Sequence, residues 1–261
     1  MRAFVREQLA SRWRDVDRQM EIARLDLGVE PVHDLRVALR RYIEALRVLE
    51  PWTGSRYSSA IRLRLKPLRQ VAGDVRDLDV AAGLLLDAQC PLSLRMRREA
   101  AARLLERALA EPIRPPRPPR SPGADAPRPA SVARQLLPSL AEDYCRRGRK
   151  LRRGDPPAAK LHAFRIRTKR FRYTLEIFAS VYGPGLQLRL KRLRDLQDAL
   201  GDINDCESLR QLPQASADRA LRHWIDERIL RRTRDFRRLW KRGFSDPAFW
   251  IGYTRRWARD A

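Results

Sequence analysis

The stretch His33-Asp-Leu-Arg-Val-Ala-Leu-Arg-Arg-Tyr-Ile-Glu44 has a second version, His162-Ala-Phe-Arg-Ile-Arg-Thr-Lys-Arg-Phe-Arg-Tyr173. At an offset of 129 residues, the separation of His33 and His162, Arg36 matches Arg165, Arg40 matches Lys169 and Arg41 matches Arg170. Two of the three histidines in the chain therefore stand at equivalent places. A self-match at long period means that one structural unit is used twice, and this limits the fold more than any other feature of the chain.

Each copy predicts an amphipathic helix. At about 100° per residue, with the histidine at zero, Arg36, Arg40 and Arg47 fall in a narrow stripe around His33. Leu35, Leu39, Tyr42, Leu46 and Leu49 fall on the opposite face. The second copy repeats the division, with Arg165, Lys169 and Arg172 beside His162 and with Phe164, Phe171, Leu175 and Phe178 across from them. A charged stripe is commonly just a solvated face, but such faces mix acid and base because like charges at helical spacing repel. Only Glu44 and Glu176 interrupt these stripes, which favours an anion-binding surface.

The balance of charge agrees. Against 32 Asp and Glu stand 56 Lys and Arg, a formal net of +24, with a pI near 11.3. This field favours a polyanion, whether nucleic acid, an acidic membrane surface or a polymeric phosphate, without choosing among them. A high-GC coding bias accounts for Arg over Lys but not for the excess over acids, and guanidinium forks suit phosphate oxygens. Cys90, Cys145 and Cys206 suggest neither a disulfide framework nor a zinc knuckle. No signal peptide or bilayer-spanning run is expected, which points to a soluble cytoplasmic protein.

In chain order, helices are expected from 3 to about 27, from Pro31 to about Glu50, from about Tyr57 to Gln89 and from Pro91 to about Ala110. Pro51-Trp-Thr-Gly54 is a turn signal. Pro67 argues for a kink within the third helix. Residues 112–130 read as an extended Pro-rich linker, with a polyproline ligand as the alternative. The series then resumes, with helices from about Val132 to Leu151, through His162 to about Tyr182, from Leu186 to about Leu212, and a long basic one that follows Pro213 and runs to about Arg242. The boundaries are thus 1–111 for the first four-helix repeat, 112–130 for the linker, 131–245 for the second repeat and 246–261 for a tail.

The third helices match as well. Ala72-Gly-Asp-Val-Arg-Asp-Leu-Asp79 aligns with Leu200-Gly-Asp-Ile-Asn-Asp-Cys-Glu207, and Arg64 and Lys66 align with Arg192 and Arg194. Acid clusters of this kind build magnesium sites. Helical spacing spreads these carboxylates around the axis, however, and arginines surround them, so salt bridges that orient the phosphate-binding arginines are the preferred reading.

These residues resemble the CHAD family, the "conserved histidine α-helical domain". The likeness lies in Val32-His-Asp-Leu-Arg-Val-Ala-Leu-Arg-Arg41, in Leu161-His-Ala-Phe-Arg-Ile-Arg-Thr-Lys-Arg-Phe-Arg-Tyr173 and in the Leu-Gly-Asp-like segments, and it covers nearly the whole chain. The resemblance implies an all-α fold of two four-helix bundles related by the tandem repeat, around a basic central channel that binds inorganic polyphosphate. It assigns His33, Arg36, Arg40 and Arg41 to the channel from the first half. From the second it assigns His162, Arg165, Lys169, Arg170 and Arg172. Arg64, Lys66 and Arg69, with Arg189, Arg192 and Arg194, would line it from the third helices. Ala72 against Leu200, Arg76 against Asn204 and the long linker depart from the pattern.

Residence at polyphosphate granules is implied by the resemblance alone. No catalytic residue, metal or cofactor is expected. The Glu-x-Glu-x-Lys motif of the triphosphate-tunnel domain often fused to this family is missing, so phosphohydrolase activity would come from a polyphosphate-metabolising partner. Nucleic acid is the second choice of ligand, through the basic helix from Arg219 to Arg242, although helix-turn-helix, zinc-finger and RNA-binding signatures are not found. A polyphosphate-processing enzyme ranks third, without a Gly-rich phosphate loop.

Overall fold

A computed structural model describes residues 1–85, 92–113, 127–213 and 217–256. The described residues are helical, with no strand among them. The chain divides into two compact units, Met1–Ala126 and Pro127–Ala261.

The first unit contains α1 (Arg2–Leu25), α2 (Val29–Val48), the one-turn α3 (Glu50–Thr53), α4 (Ser55–Leu84) and α5 (Leu92–Ala110). Here α2 packs on α1 and α4, and α5 packs on α4 and α1. Leu35, Leu39, Tyr42, Leu46 and Leu49, the apolar face expected for α2, are all at most 1% exposed. Burial of each such side chain stabilises the unit by about 1.5–3 kcal/mol before the entropy of ordering is counted. Arg24 of α1 donates to the Leu109 carbonyl at 2.9 Å, tying the end of α5 to α1. Pro67 lies inside the single helix α4.

The second unit contains α6 (Pro129–Arg152), α7 (Ala158–Ile177), the one-turn α8 (Ala179–Tyr182), α9 (Gly185–Arg210), α10 (Arg219–Phe244) and α11 (Pro247–Arg256). Here α9 packs on α7 and α10, and α6 packs on α7, α10 and α11. The core is aromatic. Tyr144 stacks on Phe164 and Phe171, with ring centres 5.0 and 4.7 Å apart. Trp240, Phe244 and Trp250 continue the stack at 4.8 and 4.9 Å.

Three sequence expectations change. The linker ends sooner than 130, because Pro129 opens α6 at a position where its missing N–H is harmless. The helix through His162 stops at Ile177 rather than Tyr182, and a separate turn, α8, follows. The segment read as a tail is the helix α11, with Trp250 fully buried and donating its indole N–H to the Gly243 carbonyl at 2.8 Å. Gly54 and Gly183, themselves 129 residues apart, close α3 and α8 with φ of 86° and 64°, a conformation that favours glycine. Most of the 112–130 linker, Cys90 and the end of the tail lie outside the described residues. Cys145 and Cys206 are buried free thiols, pushed up by burial to about 12 and about 11.

Candidate anion-binding site

The cationic face of α2 is held against α4. Arg36 Nη1 donates to the Asp77 carboxylate at 2.9 Å and to the Gly73 carbonyl at 3.0 Å. Its side chain is 14% exposed while that of Asp77 is 74% exposed, so the pair lies at the rim of the contact between the two helices. His33, half-buried one turn earlier, is held below its ordinary pKa by burial first and then by the Arg76 cation. Arg40 and Arg41 follow on the same helix, both partly exposed. From α4, Arg64, Lys66 and Arg69 stand exposed.

The second unit repeats the contact at the matched positions. Arg165 of α7 faces Asp205 of α9 at 3.9 Å. The exposed His162 hydrogen-bonds through Nδ1 to the Asn204 amide oxygen, and Asn204 donates to Asp205 at 3.3 Å. Asn204 corresponds to Arg76 of the first unit, so one histidine has a neutral partner where the other has a cation. Lys169 is partly exposed and Arg170 exposed.

Of the acids that could have been read as metal clusters, all but the exposed Asp74 lie against arginines. Asp79 pairs with Arg98 at 3.0 Å, and Glu207 with Arg210 at 3.6 Å. Asp202 accepts from Arg232 at 2.6 Å and lies 3.5 Å from Arg228. Among the described residues no group of three potential ligands could hold a metal ion.

Two arginines assigned to the channel sit in packed surroundings. Arg172, buried on α7, lies 3.7 Å from Glu176 and over the Tyr173 ring. Arg189, buried on α9, donates to the Phe249 carbonyl at 2.7 Å and stacks on Phe249 and Tyr253. Arg192, partly exposed, also lies over the Phe249 ring, 4.3 Å from its centre. Arg194 is exposed. The aromatic platform of Phe249 and Tyr253 is absent from the sequence reading, and its only signal is aromatic residues at helical spacing after Asp246-Pro247.

These are the features of an all-helical protein that presents histidine and guanidinium groups along helices and steadies them with carboxylates of neighbouring helices. The family model described as "CHAD domain" matches residues 7–214, and the chain belongs to the CHAD family. It is similar in fold to the crystal structure of the CHAD domain from the plant Ricinus communis, with a TM-score of 0.61 and 22% identity. That likeness covers 99% of this chain and 92% of the plant chain. Comparison with curated proteins returns no match.

Proposed function

We propose that the chain binds inorganic polyphosphate without transforming it, through the His33, Arg36, Arg40 and Arg41 face of α2 and the His162, Arg165, Lys169 and Arg170 face of α7. The CHAD family binds polyphosphate in general, and this chain belongs to it. The observation that carries the reading for these residues is the matched pairing of Arg36 with Asp77 and of Arg165 with Asp205. Two guanidinium groups at repeated positions are each aimed from a second helix, as a ligand with regularly spaced charge requires.

A linear polyphosphate offers oxygens on every side, so it is held by repeated donors along a face rather than by one pocket. From His33 to Arg47 is about 21 Å of helix, enough to follow several phosphates. Exposed Arg64, Lys66, Arg69 and Arg194 extend the cationic surface onto α4 and α9. The finer architecture, one four-helix plan used twice, rests on the sequence self-match, and a basic channel for the polymer rests on the likeness to the CHAD family. The family resemblance also supports residence at polyphosphate granules, and the missing Glu-x-Glu-x-Lys motif supports assigning any phosphohydrolase activity to a polyphosphate-metabolising partner. No helix among the described residues is long and apolar enough to cross a membrane.

The test is calorimetric titration with long-chain polyphosphate and, separately, with duplex DNA at equal phosphate concentration and physiological salt. Wild type, Arg36→Ala/Arg165→Ala and the exposed pair Arg64→Ala/Arg194→Ala are compared. Polyphosphate binding that exceeds DNA binding and is lost in the first variant supports the reading. Binding of both polymers at wild-type strength in both variants would overturn it.

A further inference from the structure

A second basic surface lies on helices that the α2 and α7 faces do not include. Seven of the twelve residues from 231 to 242 in α10 are Arg or Lys, against one acid, Asp235. At 100° per residue, Arg231, Arg234, Arg238, Lys241 and Arg242 fall within about 100° of arc. All five are exposed, while Phe236, Trp240 and Phe244 face the core of the unit.

The end of α6 widens this row. Gly148 of α6 is buried where a Cβ would run into the Trp240 ring, so the two helices touch closely there. One turn on, Arg237 of α10 donates to the Gly154 carbonyl and lies 3.4 Å from Asp155. Arg152 and Arg153, exposed and next to Gly154 in the chain, therefore stand close to Arg237 and the α10 row, and exposed Arg149 and Lys150 precede them on α6. The acids nearby are already engaged. Asp143 serves Arg146, Arg147 and Arg167, and Asp235 serves Arg232 and Arg238. Asp246 accepts from the Ala248 amide in the first turn of α11.

We infer that this two-helix ridge is a second polyanion site, one that takes the phosphate backbone of a nucleic-acid duplex. Its width is that of two packed helices, about 8–10 Å between axes, which suits phosphates on both sides of a groove rather than a single-file chain. Its aromatic residues are buried, so it has no platform on which single-stranded bases could stack. None of the exposed large apolar residues lies between 146 and 153 or between 231 and 242, so it lacks the apolar face that an interfacial membrane helix inserts. What remains is guanidinium and ammonium contact to phosphates, without base readout. The family match ends at residue 214, before α10 begins.

The experiment is fluorescence anisotropy with a labelled short DNA duplex across a salt series, on the full chain. Arg152→Gln/Arg153→Gln/Arg234→Gln/Lys241→Gln is compared with wild type and with Arg36→Ala/Arg165→Ala, and circular dichroism checks each fold. The ridge variant is expected to lose roughly tenfold or more in duplex affinity and to lower the salt slope by about 3–4, one for each phosphate contact removed. In the same variant, calorimetry with polyphosphate is expected to stay near wild type, so the ridge and the α2 and α7 faces fail or survive separately. Duplex binding unchanged in the ridge variant, or equal losses for duplex and polyphosphate, would overturn the inference. So would tighter binding to phosphatidylserine vesicles than to the duplex, which would make the ridge a membrane contact.

Discussion

The guanidinium carbon of Arg189 lies 3.5 Å from the centre of the Tyr253 ring and 4.0 Å from that of Phe249. Burial pulls its pKa down to about 10, so it remains a cation at neutral pH, compensated by ring faces and carbonyls rather than by a carboxylate. Arg189 joins α9 to α11. Arg189→Ala is expected to destabilise the second unit by about 2–3 kcal/mol, through lost cation–π contact and charged hydrogen bonds, as read by urea denaturation. Polyphosphate affinity is expected to change little, and a large loss of affinity with stability intact would return Arg189 to the binding face.

Gly148→Ala tests the closest approach in the second unit. A methyl group there meets the Trp240 ring, which is fully buried between Phe244 and the residues of α6 and α7. Such overpacking costs about 1–3 kcal/mol, and the expected readouts are a lower thermal midpoint and altered tryptophan fluorescence. A variant as stable as wild type would mean that α6 and α10 stand further apart.

Asp77→Asn keeps an acceptor for Arg36 and removes a negative charge next to the proposed ligand. Because the Gly73 carbonyl also holds Arg36, its orientation is retained. Asp77 is mostly exposed, so stability should change by less than about 1 kcal/mol. Polyphosphate affinity is expected to rise by roughly two- to fivefold, the effect of a few tenths to about 1 kcal/mol of relieved repulsion. A fall in affinity in the same titration would show that the charge of the carboxylate is needed to aim the arginine.

His33 links both folding and binding to pH. Burial, Arg76 and Arg40 hold it below its ordinary value, against the opposing pull of Asp34 and Glu30. Between about 6.5 and that lowered value the unfolded chain binds the extra proton, so stability falls as pH falls. His33→Gln should flatten that part of the stability profile. A bound phosphate acts in the opposite sense by favouring the imidazolium, so polyphosphate affinity is expected to rise as pH drops below neutral. Titration at mildly acidic and mildly alkaline pH checks this, and His33→Ala should weaken the dependence.

Much of the fold was legible because apolar period and charge period reinforce each other. The buried set Leu35, Leu39, Tyr42, Leu46 and Leu49 follows from a wheel, and so does the exposure of Arg170. Arg172 and Arg189 were harder. A wheel records the face on which a residue stands but not what another element lays over it. Arg189 is covered by α11, and Arg172 lies beside its own neighbours Glu176 and Tyr173. Trp250 and Tyr253 escaped because a ten-residue helix offers barely three turns of periodicity, too few to separate it from a loose end. The partners of Arg36 and Arg165 were anticipated only as a class, since the acids come from helices some forty residues away.

The stack from Tyr144 through Trp240 and Phe244 to Trp250 bears on how this protein can be divided. A recombinant fragment trimmed to the boundaries of the family match would end at residue 214 and discard three of its four members. Phe164 and Phe171 would then face water, and the fragment would be expected to aggregate rather than report on ligand binding. The smallest piece able to carry the α7 face in solution therefore extends through α11, some forty residues beyond the point where sequence likeness ends.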